Sequence, residues 1–219
     1  MIDNITKVKA SEMNLIIKPL SPDLAPDYLD FFDNRAFAED KGHNPNGPCY
    51  CNAPTMETAE VRQMVSEFGS DVKGALHRNA AQQLVEGKLH GYLAFDGETS
   101  VGWCNAGDMN SYPVNAWNFI PPVARENTCG KTMSIVCFAI APDYCGKGVA
   151  TALLKRVIAD AQGQGFVAVE GYGDVQNEPV SWDFHGPVRL YEKAGFIEVA
   201  RQDGRLVMRK KLAGHQESK

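Results

Sequence analysis

The stretch PDYCGKGVATALL, residues 142–154, carries residue types and a spacing that suit the binding of an anion. Gly146 and Gly148 flank Lys147 between an apolar run, MSIVCFAIA, and a helical pattern. The first backbone N–H groups of a helix have no partner inside it, and glycines let a ligand approach the backbone closely. The pattern therefore predicts an anion-binding turn whose usual occupant is phosphate. Lys147 either adds positive charge there or lies in solvent.

Two regular elements must position this turn. MSIVCFAIA is rich in β-branched and aromatic residues, which predicts a buried strand. The residues after the turn repeat apolar side chains at the three-and-four spacing of one helix face. These side chains are Val149, Ala150, Leu153, Leu154, Val157, Ile158 and Ala161.

Further strand and helix patterns surround this unit. LIIKPL and FVAVEGY predict strands, and GYLAFDGETSVGWCNA predicts a hairpin about Asp96 and Gly97. SPDL begins a helix with Ser21 as N-cap, HGPVRLYEKAG predicts a short helix ended by Gly195, and the chain closes on a hairpin. A second helical stretch carries Val61, Met64, Val65 and Phe68, and a third runs through about Leu84 and Val85. Strands and helices in this order predict one α+β domain with a mixed sheet.

Composition and charge argue against several functional classes. The chain has 219 residues, 44% of them hydrophobic, which is enough for one well-buried core. Its net charge of −5 and its lack of a basic stripe argue against a nucleic-acid partner. No apolar run approaches the roughly 20 residues of a membrane span, and MIDNITKVKASEMN lacks a signal-peptide core. We therefore expect no membrane partner and a cytoplasmic location.

The six cysteines are expected to be thiols, because no secretory signal is evident. Cys104 and Cys137 lie in strand-like runs, where free cysteine behaves as a small hydrophobe. Cys49 and Cys51 of CYC could bind a metal with His43, or form a plain loop of thiols. Structural zinc usually shows a wider cysteine spacing and a second ligand pair. No metal is expected.

IAPDYCGKGVATALL, followed some forty residues later by LYEKAGF, resembles the GNAT superfamily of N-acetyltransferases. The resemblance covers the second half of the chain closely, and the order of elements in the first half agrees with it. It implies a mixed, mostly antiparallel twisted sheet flanked by helices, with a splayed strand pair that holds coenzyme A. The implied division is a polar leader at 1–14, one acyltransferase domain at 15–212 and a polar tail at 213–219.

In that family the pyrophosphate of acetyl-CoA rests on the backbone amides of the glycine turn. Carried over, these amides belong to Cys145, Gly146, Lys147, Gly148, Val149 and Ala150. The preceding strand would hold the pantetheine arm through Phe138, Ala139 and Ile140. Cys145 stands where the family usually has Gln or Arg, so a side-chain contribution is lost there while the backbone donors remain.

The resemblance also implies catalytic residues. Tyr191 of LYEKAGF matches the tyrosine that gives a proton to the departing thiolate; the alternative is a tyrosine packed beneath the cofactor. His185 is the candidate general base because its ordinary pKa suits the task, with Asp183 and Glu170 as alternatives. Phe184 and Pro187 replace the Asn and the small residue that the family often has.

The sequence thus predicts an acetyl-CoA-dependent N-acetyltransferase. The acceptor would be the primary amine of a small molecule or peptide, attacked directly in a ternary complex. The acceptor pocket would lie in two irregular stretches, the CYCN loop and the segment of Tyr112, Trp117 and Phe119, unless these aromatics are core. A non-catalytic CoA-binding sensor and an acyl-cysteine route through Cys145 or Cys137 are the alternatives. Family members are commonly dimers, so a homodimer is also compatible.

Overall fold

The computed structural model describes residues 13–38, 49–69, 71–116, 119–128, 130–174 and 184–213. Its sheet has seven strands: β1 Leu15–Pro19, β2 Gly91–Asp96, β3 Thr99–Asp108, β4 Thr132–Ile140, β5 Ala168–Asp174, β6 Ile197–Gln202 and β7 Arg205–Lys211. Their spatial order is β1-β2-β3-β4-β5-β7-β6. Only β4 and β5 run parallel. The predicted mixed, mostly antiparallel sheet is confirmed.

Six α-helices accompany the sheet in the described residues: α1 Ala25–Asp30, α2 Thr58–Phe68, α3 Val72–Val85, α4 Pro122–Glu126, α5 Val149–Gly163 and α6 Val188–Lys193. The helix predicted after Ser21 is interrupted, since a 3₁₀ turn precedes α1 and a π-helical turn, Phe31–Arg35, follows it. Within the described ranges, no helix combines the length and apolar character needed to cross a membrane.

The two predicted hairpins form as expected. β2 and β3 pair antiparallel across a turn in which Gly97 has φ 62°. β6 and β7 pair across Asp203 and Gly204, with φ 50° and 79°. Two successive residues with positive φ match the twist of a tight hairpin, which explains the Asp-Gly pair.

The sheet carries a core on each face. Tyr28, Phe31 and Phe32 pack with Trp103 of β3 on one face. The other face is covered by α5 and α6, whose buried side chains include Leu153, Leu154, Val157 and Tyr191. The predicted second helical stretch is α2, in which Val61 and Met64 are buried whereas Val65 and Phe68 are 38% and 42% exposed.

Apart from residues 13, 14 and 213, the predicted leader and tail lie outside the described residues. The strands begin at Leu15 and end at Lys211. A single domain over 15–212 stays a prediction.

Candidate active site

The turn between β4 and α5 is open to solvent. Gly146 and Gly148 have φ 74° and 89°, values that residues with a side chain rarely adopt. A Cβ atom at either position would meet no heavy atom within 4 Å. Both glycines are therefore needed for backbone conformation, and the space above them is free for a ligand.

Several amides of this turn meet no backbone acceptor among the described residues. The N–H groups of Cys145 and Lys147 donate to the turn's own carbonyls, those of Pro142 at 3.2 Å and Tyr144 at 3.3 Å. Four other N–H groups donate to no backbone acceptor within the described chain. They are those of Gly146, Gly148, Val149 and Ala150. They form a set of donors suited to an anion.

α5 is held close to the sheet at its first residue. Val149 is buried, and its Cγ1 atom lies 2.7 Å from where a Cβ of Gly102 on β3 would stand. A side chain at position 102 would push the helix outward. Gly102 therefore lets the first turn of α5 pack against β3, which keeps the open amides of the turn close to the end of β4.

β4 and β5 separate along their length. They pair in parallel only from Thr132 to Ile135, opposite Ala168 to Gly171. The ladder between β3 and β4 shifts its register at this point, where Val136 is an extra residue between the partners of Asn105 and Ala106. Such a bulge bends the strand away from its neighbour. The splayed strand pair predicted from the sequence is therefore present.

The backbone of β4 alternates between the cleft and β3. Phe138 N–H points into the cleft, where it donates to the carbonyl of Phe184 at 2.6 Å, and Ala141 N–H donates to Val101 of β3 at 3.0 Å. Because backbone groups alternate sides along an antiparallel strand, Phe138 and Ile140 face the cleft. Ala139, the partner of Trp103, faces β3.

Tyr191 lies at the closed end of this cleft. Its side chain is fully buried, and its ring lies so close to Gly171 of β5 that a Cβ there would stand 2.1 Å from Cε1. Its hydroxyl donates to the carbonyl of His185 at 2.5 Å. The cleft therefore runs from the glycine turn past Phe138 to a buried tyrosine hydroxyl.

Known protein families and solved structures include proteins similar to this chain. A family model described as the acetyltransferase (GNAT) family matches residues 58–196. The chain belongs to this family. No curated protein sequence matches it.

Solved GNAT structures share the fold at low identity. A PaiA N-acetyltransferase from Thermoplasma acidophilum, in complex with coenzyme A, is 14% identical, with TM-score 0.50 over 91% of this chain and 100% of its own. A GNAT-family acetyltransferase from Listeria monocytogenes 4b F2365 is 12% identical, with TM-score 0.56 over 94% and 99%. One from Streptococcus pneumoniae is 16% identical, with TM-score 0.51 over 91% and 100%.

His185 of this GNAT chain lies in the segment that precedes α6, and its side chain is buried. It is 1% exposed, and neither ring nitrogen has a hydrogen-bond partner within the described residues. Its Nδ1 atom is 3.6 Å from Asp174 Oδ2, too long for a hydrogen bond. Burial and the charge of Arg205 lower its pKa to about 3, against the opposing effect of Asp174. In this conformation the imidazole is neutral at pH 7 and a weak base.

This environment predicts a pH dependence of stability. Because the pKa of His185 is lower in the folded than in the unfolded chain, the unfolded chain binds more protons between pH 6.5 and 3. We expect the free energy of unfolding to fall by up to about 1.4 kcal/mol per pH unit as the pH drops below 6. His185→Leu should reduce that slope in denaturant titrations at pH 4 to 7. Equal slopes for the wild type and His185→Leu would show that His185 has the same pKa in the folded and the unfolded chain, contrary to this expectation.

The other candidate bases do not face the cleft. Glu170 is fully buried on the sheet face opposite Tyr191, where Arg209 binds it at 2.5 Å and the Tyr172 hydroxyl donates to it at 3.2 Å. Burial raises its pKa, although Arg209 opposes the shift. Asp183 lies outside the described residues.

The irregular stretches are partly core. Tyr112 is buried and donates to Asn105 Oδ1 at 2.7 Å, and the ring of Phe119 lies 6.0 Å from that of Phe184. Trp117 and His43 lie outside the described residues. Cys51 is buried beside Asn105, whereas Cys49 is exposed. No cluster of three or more metal-ligating side chains occurs in the described ranges.

The sequence did not predict that the carbonyls of Phe184 and His185 accept hydrogen bonds in the cleft. Their donors are the N–H group of Phe138 and the hydroxyl of Tyr191. The two carbonyls are backbone groups, and no residue type marks them. We also did not predict which face of β5 contacts Tyr191, although the glycine pattern of this strand indicates it. In EGYG, glycines 171 and 173 alternate with large residues, which indicates one closely covered face.

Proposed function

We propose that this chain is an acetyl-CoA-dependent N-acetyltransferase that acts on a primary amine by direct attack in a ternary complex. One observation carries the proposal: the gap between β4 and β5 lies between the hydroxyl of Tyr191 and the amides of Gly146 and Gly148, which meet no backbone acceptor in the part of the chain that the structure describes. A long ligand with an anionic end and a reactive end suits such a cleft. When bound, acetyl-CoA would supply an acetyl thioester, whose carbonyl carbon an amine attacks as the thiolate departs.

The described residues fit the anionic end. Amide bonds to a charged group contribute about 1.5–3 kcal/mol each, whereas the helix dipole contributes about 0.3–1 kcal/mol. The open amides of Gly146, Gly148, Val149 and Ala150 therefore dominate the binding of a pyrophosphate. The backbones of Cys145 and Lys147 shape the turn by their internal bonds.

The strand residues would hold the arm between the two ends. Phe138 and Ile140 present backbone groups to the cleft, and Ala139 fixes the strand to β3. The Phe138 N–H must exchange the carbonyl of Phe184 for a carbonyl of the ligand. That exchange replaces one hydrogen bond by another, so its net cost is small.

Tyr191 is proposed as the general acid. Its hydroxyl holds a proton at Oη, inside the cleft and away from water. A phenol of pKa about 10 can protonate a thiolate leaving group of comparable basicity. Its hydrogen bond to the His185 carbonyl orients the hydroxyl until acetyl-CoA binds.

The acceptor amine must lose a proton before it attacks the thioester, and this step needs a base. An alkyl amine of pKa about 10.4 is neutral in about one molecule in 2,500 at pH 7. We propose His185 as the base only in an open form of its segment, since the buried imidazole is a weak base. Water that reaches the cleft would relay the proton in that form.

One observation favours a second candidate, a CoA-binding sensor without turnover. Both donors that would contact a bound thioester, Phe138 N–H and Tyr191 O–H, are engaged by the adjacent carbonyls of Phe184 and His185. Phe184 and Cys145 also replace residues usual in the family. A dimer and a cytoplasmic location stay predictions.

Calorimetric titration of the full chain with acetyl-CoA tests the proposal. We expect micromolar binding of acetyl-CoA and desulfo-CoA and none of ATP, because ATP has the phosphates but no pantetheine arm for β4. Amines should then be screened for release of free thiol. Binding without thiol release from any amine class would favour the sensor, and absence of binding would contradict both functions.

A further inference from the structure

Outside the cleft, the CYCN loop holds an unusual backbone. Tyr50 and Cys51 both have φ 46°, a region that residues with a side chain rarely occupy. Tyr28 donates its hydroxyl to the Tyr50 carbonyl, and Asn105 Nδ2 donates to the Cys51 carbonyl at 3.0 Å. Adjacent strained residues held by buried partners occur where a side chain must be aimed.

The side chain aimed by this turn is the thiol of Cys51. Asn105 Nδ2 lies 3.4 Å from its sulfur, and the Tyr112 hydroxyl, which donates to Asn105 Oδ1, fixes the amide in that orientation. The indole N–H of Trp103, two residues from Asn105 on the same face of β3, is buried and has no acceptor within the described chain. The N–H group of Asn105 favours a thiolate at Cys51.

A second thiol lies against the first. Cys137 of β4 is the direct cross-strand partner of Asn105, so its side chain shares the sheet face to which Cys51 is held. Both thiols therefore adjoin Asn105, and both belong to the same buried core cluster. Both are buried, at 2% and 5% exposed.

The pair is electronically unequal. Burial alone would raise the pKa of Cys51, but the amide N–H of Asn105, 3.4 Å from the sulfur, favours the thiolate, and on balance the pKa is lowered. The hydrogen bond to Cys51 and burial raise the pKa of Cys137. A low-pKa thiol next to a protonated partner is the arrangement of an attacking and a resolving cysteine.

We propose that Cys51 and Cys137 are a redox-modified pair that hydrogen peroxide converts to a disulfide. The Cys51 thiolate attacks one peroxide oxygen, forms an S–O bond and releases hydroxide, which leaves a sulfenic acid. The Cys137 thiol loses its proton as its sulfur attacks Cys51, the S–S bond forms, and hydroxide leaves as water. Two thiols and one peroxide thus give one disulfide and two waters.

The bond would act on the neighbouring cleft. Two thiols in contact must approach to about 2.05 Å to form a disulfide, which pulls β4 at the residue before Phe138. Loss of about one backbone hydrogen bond from β4 to the ligand corresponds to about tenfold in affinity. We therefore expect the oxidised chain to bind acetyl-CoA at least about tenfold more weakly and dithiothreitol to restore binding. This effect rests on the proposed function; the disulfide does not.

Peptide mapping after peroxide treatment tests the pair. The full chain is treated with hydrogen peroxide, exposed thiols are blocked with iodoacetamide, and a non-reducing digest is read by mass spectrometry. We expect a peptide linked through Cys51 and Cys137, lost in Cys51→Ser and Cys137→Ala. It should persist in Cys104→Ala, which removes another buried thiol. If Cys51→Ser does not fold, Cys137→Ala decides.

The outcomes separate the two proposals. A linkage through Cys49, or a Cys51 oxidised without any link to Cys137, would overturn the pair. The linked peptide in a protein whose reduced form binds no acetyl-CoA would uphold the pair and contradict the proposed function. The linked peptide with unchanged acetyl-CoA affinity would overturn its effect on the cleft.

Discussion

Gly148→Val should weaken acetyl-CoA binding by about 100-fold or more while the chain still folds. Gly148 is the N-cap of α5 with φ 89°, a conformation that a β-branched residue resists. Relaxation of that strain would turn the amides of Gly148 and Val149 away from their common direction. The loss of two charge-assisted amide bonds, each about 1.5–3 kcal/mol, corresponds to at least 100-fold in affinity.

Gly165 supplies a matched control for this substitution. It has φ 74°, and a Cβ there also meets nothing within 4 Å, but it follows the C-terminal end of α5. Gly165→Val should therefore lower the melting temperature as much as Gly148→Val and leave calorimetric binding of acetyl-CoA unchanged. Equal affinities for the two variants would contradict the phosphate role of the turn.

A structural feature can be predicted from the sequence when the residues that form it are neighbours in the chain. The turn with Gly146 and Gly148 is predictable because strand, glycines and helix are contiguous. The separation of β4 from β5 followed from the family resemblance, since the bulge at Val136 leaves no mark in a uniformly apolar run. Hydrophobic periodicity places a strand but does not fix its register with partners distant in sequence.

His185 shows why the site residues were harder to predict. A histidine in a loop has an ordinary pKa unless tertiary contacts shift it. Its burial is a tertiary effect, and the charge of Arg205 that also lowers its pKa comes from β7, about twenty residues later. Cys51 is a similar case, since the sequence suggested a plain loop of thiols. Its burial depends on Asn105 and Trp103 of β3, which lie more than fifty residues away.

Tyr191→Phe should lower turnover by about 10²–10⁴-fold, because the reaction would lose its proton donor. The affinity for acetyl-CoA should change little, since the ring still fills the space against Gly171. The measurement is single-turnover release of thiol, with the amine that supports release in the wild type. The carbonyl of His185 would lose its donor, at a cost of about 1–3 kcal/mol in stability, so assays belong well below the melting temperature.

Tyr172 separates the chemical effect of that hydroxyl from its structural effect. It is equally buried and its hydroxyl also makes hydrogen bonds, with Ser134 at 2.7 Å and Glu170 at 3.2 Å, but it lies on the opposite sheet face. Tyr172→Phe should thus cost similar stability and leave turnover near that of the wild type. Turnover that falls equally in both variants would show that packing limits the rate. Turnover that is unchanged in Tyr191→Phe would make Tyr191 a packing residue and place the acid elsewhere in the cleft.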